Sequence, residues 1–156
     1  MTPSTVTPTI HATAVLVGRC AVLIRGPSGS GKSRLALRLI EAAVTAGGFA
    51  RLVADDRTIV TAVGGRLLAR PPENLAGMIE VRGIGVDRHP HEPVAVVGLV
   101  VDLADPQAER LPAASDARVV LEGVSMPRLR LPAGVDPLPA VLAALARLGP
   151  APVAPP

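Results

Sequence analysis

An α/β fold with a mixed, largely β sheet follows from three observations on this sequence. Short apolar segments of strand length, bounded by Gly, Pro or Asp, recur along the chain and outnumber the helical stretches. Only two segments carry a helical apolar period, Arg34–Ile40 and Leu138–Leu148. The octet Gly26-Pro27-Ser28-Gly29-Ser30-Gly31-Lys32-Ser33 matches G-x-x-x-x-G-K-[ST] at every position, between the apolar run Ala21–Ile24 and the first of those helices. Hairpin signals mixed with one βα unit describe a mixed sheet rather than a regular doubly wound one.

Taken in order, residues 1–9 are rich in Thr and Pro and residues 150–156 in Pro and Ala, the composition of disordered tails. One domain is therefore expected over 10–149. Ile10–Val17 and Arg19–Arg25 read as strands joined at Gly18. A helix runs from Lys32 to Ala46 and stops at Gly47-Gly48. Ala50–Ala54 is the next strand and closes on Asp55-Asp56. Thr58–Val63 and Arg66–Ala69 flank Gly64-Gly65 as a hairpin. After Pro71-Pro72 comes a short helical turn, then the strand Met78–Arg82, ending in Gly83-Ile84-Gly85. Pro93–Leu103 is almost wholly apolar, so it should be buried on both faces. Arg118–Val124 and Arg128–Leu131 are further strands. Pro137–Leu148 is the closing helix, with Pro139 in its first turn.

Composition narrows the function classes. The chain has 156 residues, 49% of them hydrophobic, yet Phe49 is the sole aromatic, so the core must be aliphatic. The formal charge is only +3 and the arginines are scattered. Without aromatic platforms or a basic cluster, nucleic acid is not the expected partner. Cys20 alone cannot form an internal disulfide, which suits a reducing compartment. Met1–Ile10 lacks the apolar core of a signal peptide, and Val94–Val101 is too short to span a bilayer. The expectation is a cytoplasmic protein with no membrane contact.

The chemistry centres on Lys32, the one lysine against fifteen arginines. A phosphate loop uses a compact ammonium as a point charge, and the wide planar guanidinium does not replace it. Asp55 and Asp56 close an apolar strand, where a carboxylate can hold Mg²⁺ or serve as a base; adjacent residues on an extended segment point to opposite sides, which suggests one task each. Glu80 and Arg82, two apart, would share a strand face ahead of two glycines. His11 has no metal-ligand partner at recognisable spacing. His89-Pro90-His91-Glu92 reads as an exposed loop rather than a metal site. No Ser/His/Asp or Cys/His set can be assigned.

Together these motifs resemble the C-terminal catalytic domain of the bacterial HPr kinase/phosphorylase family, whose longer members carry an extra N-terminal domain. Leu52-Val53-Ala54-Asp55-Asp56-Arg57 looks like the family's L-I-A-D-D-R, and Ile79-Glu80-Val81-Arg82-Gly83-Ile84-Gly85 like its L-E-I-R-G-L-G. Val101-Asp102 and Glu109-Arg110-Leu111 resemble its Trp-Asp and D-R-L segments, and Gly123–Arg128 its G-V-x-L-P-K. The resemblance runs from about His11 to Leu148. It implies a P-loop kinase that uses ATP and Mg²⁺ to phosphorylate a serine of HPr or an HPr-like phosphocarrier, in a family whose members commonly form hexamers.

The resemblance also implies roles. Gly26–Ser33 would bind the nucleotide, with Lys32 on the β- and γ-phosphates. Ser33 and Glu80 would ligate Mg²⁺, with Asp56 supporting the metal or its water. Asp55 would be the base toward the serine hydroxyl and the acid in reverse. His11 and Arg110 would stand near the transferred phosphate, with Arg82 an electrostatic helper. One departure matters most. Where the family has a P-V-R-P-G-R-N loop tied to dephosphorylation, this chain has Pro132-Ala133-Gly134-Val135-Asp136-Pro137-Leu138, with neither arginine. A kinase with weak or absent phosphorolysis is the expectation. The segment Val86–Glu92 also departs from the family's pattern. A P-loop kinase of a small metabolite and a non-catalytic nucleotide-sensing module remain the alternatives.

Overall fold

The computed structural model describes residues 7–108 and 117–148. The predicted Arg110 and the tail 150–156 lie outside the described residues. An antiparallel pair opens the fold, β1 (Ala12–Val17) and β2 (Cys20–Arg25), followed by α1 (Lys32–Thr45) and β3 (Ala50–Ala54). A hairpin of β4 (Ile59–Val63) and β5 (Arg66–Arg70) comes next, then a 3₁₀ turn at Glu73–Leu75. The rest is β6 (Met78–Val81), β7 (Gly85–Arg88), β8 (Ala95–Asp102), β9 (Arg118–Leu121), β10 (Val124–Arg130) and α2 (Leu138–Leu148).

The main sheet has eight strands in the order β3-β1-β2-β8-β10-β9, with β5 joined to the start of β8 and β4 to β5. It is mixed: β8 runs parallel to β2 and β10, and the other pairs are antiparallel. A separate two-stranded sheet is formed by β6 and β7. The mixed, strand-rich α/β architecture expected from the sequence is the one observed.

Each face of the sheet has its own aliphatic core. Val15, Val22, Ile24, Leu99 and Val101 meet Leu35, Ala36 and Leu39 of α1 and Val141 of α2. Opposite, Ala12, Ala14, Leu23, Val53, Val97 and Val100 pack with Leu67, Ala69 and Met126. Each fully buried Leu or Val adds roughly 1.5–3 kcal/mol relative to exposure, which lets an almost aromatic-free chain close two cores.

β8 serves both cores by changing phase. Ala95 and Val97 face the core opposite the helices, but beyond Gly98 it is Val100 that does so, while Leu99 and Val101 face the helices. The matching register shift lies between Ala21 and Val22 of β2. Gly98 is required there, because a Cβ would stand 2.6 Å from Cys20 Cβ and 2.7 Å from its sulfur.

Two predicted strands are corrected. Arg118–Val124 is not continuous: the chain reverses at Glu122-Gly123, both with positive φ (49° and 76°), so β9 stops at Leu121 and β10 begins at Val124. Met78–Arg82 ends one residue early, at Val81, so Arg82 lies in the turn to β7 rather than on Glu80's strand face. The exposed strand β7 has no buried face and so gave no alternation to read.

Candidate active site

The phosphate loop leaves β2 and enters α1, as the octet requires. Gly29 and Gly31 have φ of 82° and 95°, left-handed values that let successive N–H groups turn inward. Gly26 is needed for space: a Cβ there would be 2.6 Å from Ser30 Oγ and 3.0 Å from the Leu103 carbonyl oxygen. α1 begins at Gly31 with no side-chain cap and no acid in its first turn. Its free N–H groups and positive dipole end therefore face the loop, where an anion would be held.

Lys32 is 6% exposed, and its ammonium donates to the carbonyls of Gly26 (3.0 Å) and Pro27 (3.2 Å). The charge thus rests inside the curl of the loop. Ser30 Oγ is buried without a hydrogen-bond partner, an unfilled polar valence in the same curl.

Asp55 ends β3's line and is 8% exposed. Its Oδ1 accepts from Ser33 Oγ at 2.5 Å and Thr13 Oγ1 at 3.0 Å, and its Oδ2 from the Glu80 backbone N–H at 3.0 Å. One carboxylate therefore ties the phosphate loop, β1 and β6 together. Asp56 points the other way. It adopts φ 63°, its N–H donates to Thr13 Oγ1 at 3.2 Å, and its carboxylate pairs with His11 Nε2. Both side chains of that pair are open to solvent, at 44% and 57% exposure.

Glu80 reaches Asp55 through its backbone, leaving its carboxylate exposed. Arg82 lies over the loop, its guanidinium 3.7 Å from where a Cβ on Gly29 would sit. Contacts thus link Ser33, Asp55 and the Glu80 backbone on one side and Asp56 with His11 on the other, while Lys32 and Arg82 lie at the loop itself. Thr13 belongs with them and was missed; its signal was a single hydroxyl inside the apolar strand Ala12–Val17. The His89–Glu92 segment stays apart: the His91 ring lies against Gly77, and His89 Nε2 is 3.6 Å from Asp87.

The donors suit a hard cation. Hydroxyl and carboxylate oxygens of Ser33, Asp55 and Glu80 are the type Mg²⁺ selects. Among the described residues no three His, Cys, Asp or Glu side chains converge as a metal cage. An ion held by one or two carboxylates together with substrate phosphates fits this set.

Comparison with known proteins agrees with this geometry. The profile of the family described as HPr Serine kinase C-terminal domain matches residues 4–88. An HPr kinase/phosphorylase of Streptococcus thermophilus is 34% identical over 135 residues, covering 79% of this chain and 41% of that protein. One from Clostridium beijerinckii is 40% identical over 77 residues, 49% of this chain and 24% of that protein. The chain thus spans between about a quarter and two fifths of these relatives. The solved Hpr(Ser) kinase/phosphatase of Coxiella burnetii superposes with a TM-score of 0.69 at 25% identity, over 90% of this chain and 89% of the other. Its phosphate loop, its paired aspartates and the profile that spans both place this chain in the HPr Serine kinase C-terminal domain family.

Proposed function

We propose that this chain is an ATP- and Mg²⁺-dependent protein serine kinase acting on HPr or an HPr-like phosphocarrier. The observation that carries the reading is the contrast at the strand end beside the phosphate loop between Asp55, buried and bonded to Ser33, and Asp56, exposed and paired with His11. Phosphoryl transfer asks a protein for positioning, charge neutralisation and a carboxylate beside the attacking hydroxyl. The loop N–H groups, the α1 terminus and Lys32 would hold the phosphates. Mg²⁺, held by Ser33 with Glu80 and Asp55 nearby, would neutralise developing phosphate charge.

Geometry favours exchanging the two aspartates' expected roles. The oxygens of Asp55 are engaged by Ser33, Thr13 and the Glu80 N–H, so it is poorly placed to take a proton from an incoming substrate. Asp56 is exposed and oriented by His11. We therefore assign the base to Asp56 and the positioning of Ser33 to Asp55. A docked serine would lose its proton to Asp56 as its oxygen attacks the γ-phosphorus, the bond from that phosphorus to the bridging oxygen would break with ADP leaving, and Arg82 would balance charge at the loop. Phosphorolysis is expected to be weak. Gly134 and Pro137 stand at the positions where the family's loop carries arginines, and the neighbouring Asp136 is bound by Arg38 of α1 at 2.5 and 3.2 Å, so the segment offers no free cation of its own to an attacking phosphate.

The test is transfer from γ-labelled ATP, with Mg²⁺, to a panel of HPr-like proteins whose candidate serines are replaced one at a time. Label on one serine of a carrier is expected. Nucleotide binding without label on any carrier would instead favour the sensing module, and label on a small metabolite the other kinase reading.

A further inference from the structure

We propose that Asp102 is a positioning residue for the phosphate loop and acts through Arg25. Arg25 is the last residue of β2 and immediately precedes Gly26; Asp102 is the last residue of β8, directly beside it in the parallel register. The guanidinium grips the carboxylate with two parallel bonds, Nε to Oδ1 at 2.7 Å and NH2 to Oδ2 at 2.9 Å. Arg128 of β10 stands 3.7 Å from Oδ2 on the far side. Such a fork fixes orientation as well as distance.

Gly26 is held from both sides by this grip. Its predecessor's carbonyl accepts from the Leu103 N–H at 2.8 Å, and Leu103, the residue after Asp102, lies against the open face of Gly26. The Gly26 carbonyl in turn accepts from the Lys32 ammonium at 3.0 Å. A line of contacts therefore runs from the Asp102 carboxylate through Arg25 and Gly26 to the cation that would meet the phosphates. The sheet does not require the pair in order to form. β2 and β8 are already joined along Ala21–Ile24 and Val97–Val101, over fully buried Leu23, Ile24, Val100 and Val101. A bidentate ion pair added at that point serves the place where the strand becomes the loop.

The inference rests on reading the loop as a Mg·ATP site, and calorimetric titration with Mg·ATP separates the two. The parent chain, Asp102→Asn, Arg25→Gln and the double variant are titrated, and the melting temperature of each is taken without nucleotide. Each single variant is expected to bind Mg·ATP about tenfold more weakly, the scale of effect expected when a binding group is displaced by a fraction of an ångström. The double variant should be no weaker than the worse single one, since both act through one contact. Arg25→Lys keeps the charge without the fork and tests the same point should Asp102→Asn fold poorly; it should bind about threefold more weakly. Unchanged affinity in folded variants, whatever their melting temperature, overturns the positioning role and leaves the kinase reading standing. Independent losses that multiply in the double variant overturn it too. A parent chain that does not bind Mg·ATP overturns both.

Discussion

The Ser33 hydroxyl donates to Asp55 Oδ1 across 2.5 Å, joining the last residue of the phosphate loop to the strand end that bears both aspartates. That contact, with those from Thr13 and the Glu80 N–H, occupies the Asp55 carboxylate and underlies the proposal that Asp56 is the base.

Two isosteric variants should therefore separate. Asp56→Asn is expected to lower phosphoryl transfer by about 10²–10⁴-fold, the usual worth of a positioned base, with Mg·ATP affinity nearly unchanged. Asp55→Asn is expected to lose about 1–3 kcal/mol of stability, because an amide nitrogen must face donors that a carboxylate satisfied. It should also bind Mg·ATP more weakly. Denaturant melts beside single-turnover rates check both; the opposite pattern would return the base to Asp55.

Lys32→Arg keeps the charge and should still fail. The ammonium sits buried between two loop carbonyls, where a planar guanidinium lacks room. Transfer is expected to fall by roughly 10²-fold or more, the scale seen when one electrostatic contact to the reacting group is lost. A rate within a factor of about three of the parent would contradict the point-charge role.

Little pyrophosphate should appear when serine-phosphorylated carrier is incubated with the protein and millimolar inorganic phosphate. Gly134 and Pro137 replace the arginines of the family's loop, and Asp136 beside them is paired with Arg38. Rapid, phosphate-dependent release comparable to the forward rate would refute this.

Gly98→Ala probes the phase change in β8. The new methyl would meet Cys20 Cβ at 2.6 Å, so a loss of about 1–3 kcal/mol is expected from overpacking. Adding Cys20→Ala should restore only part of it, since the clash with Cβ remains. Chemical denaturation of the two variants measures the difference.

Acid stability should depend on Asp105. The Arg130 guanidinium, bonded at 2.7 and 3.2 Å, holds this carboxyl below its ordinary value of 3.8, and the Gln107 N–H assists. A carboxyl with a lowered folded value takes up its proton first in the unfolded chain. Its contribution is complete at pH well above 3.8 and disappears as pH falls through the lowered folded value. Asp105→Asn should melt earlier than the parent at pH 7, and the two curves should converge in acid. Parallel curves down to pH 2.5 would exclude the pair as a source of stability.

What the sequence disclosed follows from how local each signal is. The β1–β2 pair, the α1 stop at Gly47-Gly48 and the β4–β5 hairpin were legible because apolar period and turn glycines sit together in the chain. The reversal at Glu122-Gly123 was not, because Glu is an unusual first residue for a turn with two positive φ values. That adjacent Asp55 and Asp56 point apart was expected from extended geometry, but the structure reaches it through a bend past β3, with Asp56 at φ 63°. Which of them faces inward was not legible, because Thr13 and Glu80, the partners that decide it, come from other parts of the chain.

The left-handed backbone at Asp56 limits how this site can change by mutation. At φ 63° only Gly, Asn and Asp are comfortable among common residues, and a β-branched side chain would be strained. A descendant that abandons the chemistry yet keeps the fold would therefore most easily carry Asn or Gly at this position. On the proposed assignment of Asp56 as the base, a relative with Asn or Gly at this position is expected to hold nucleotide without passing on its phosphate.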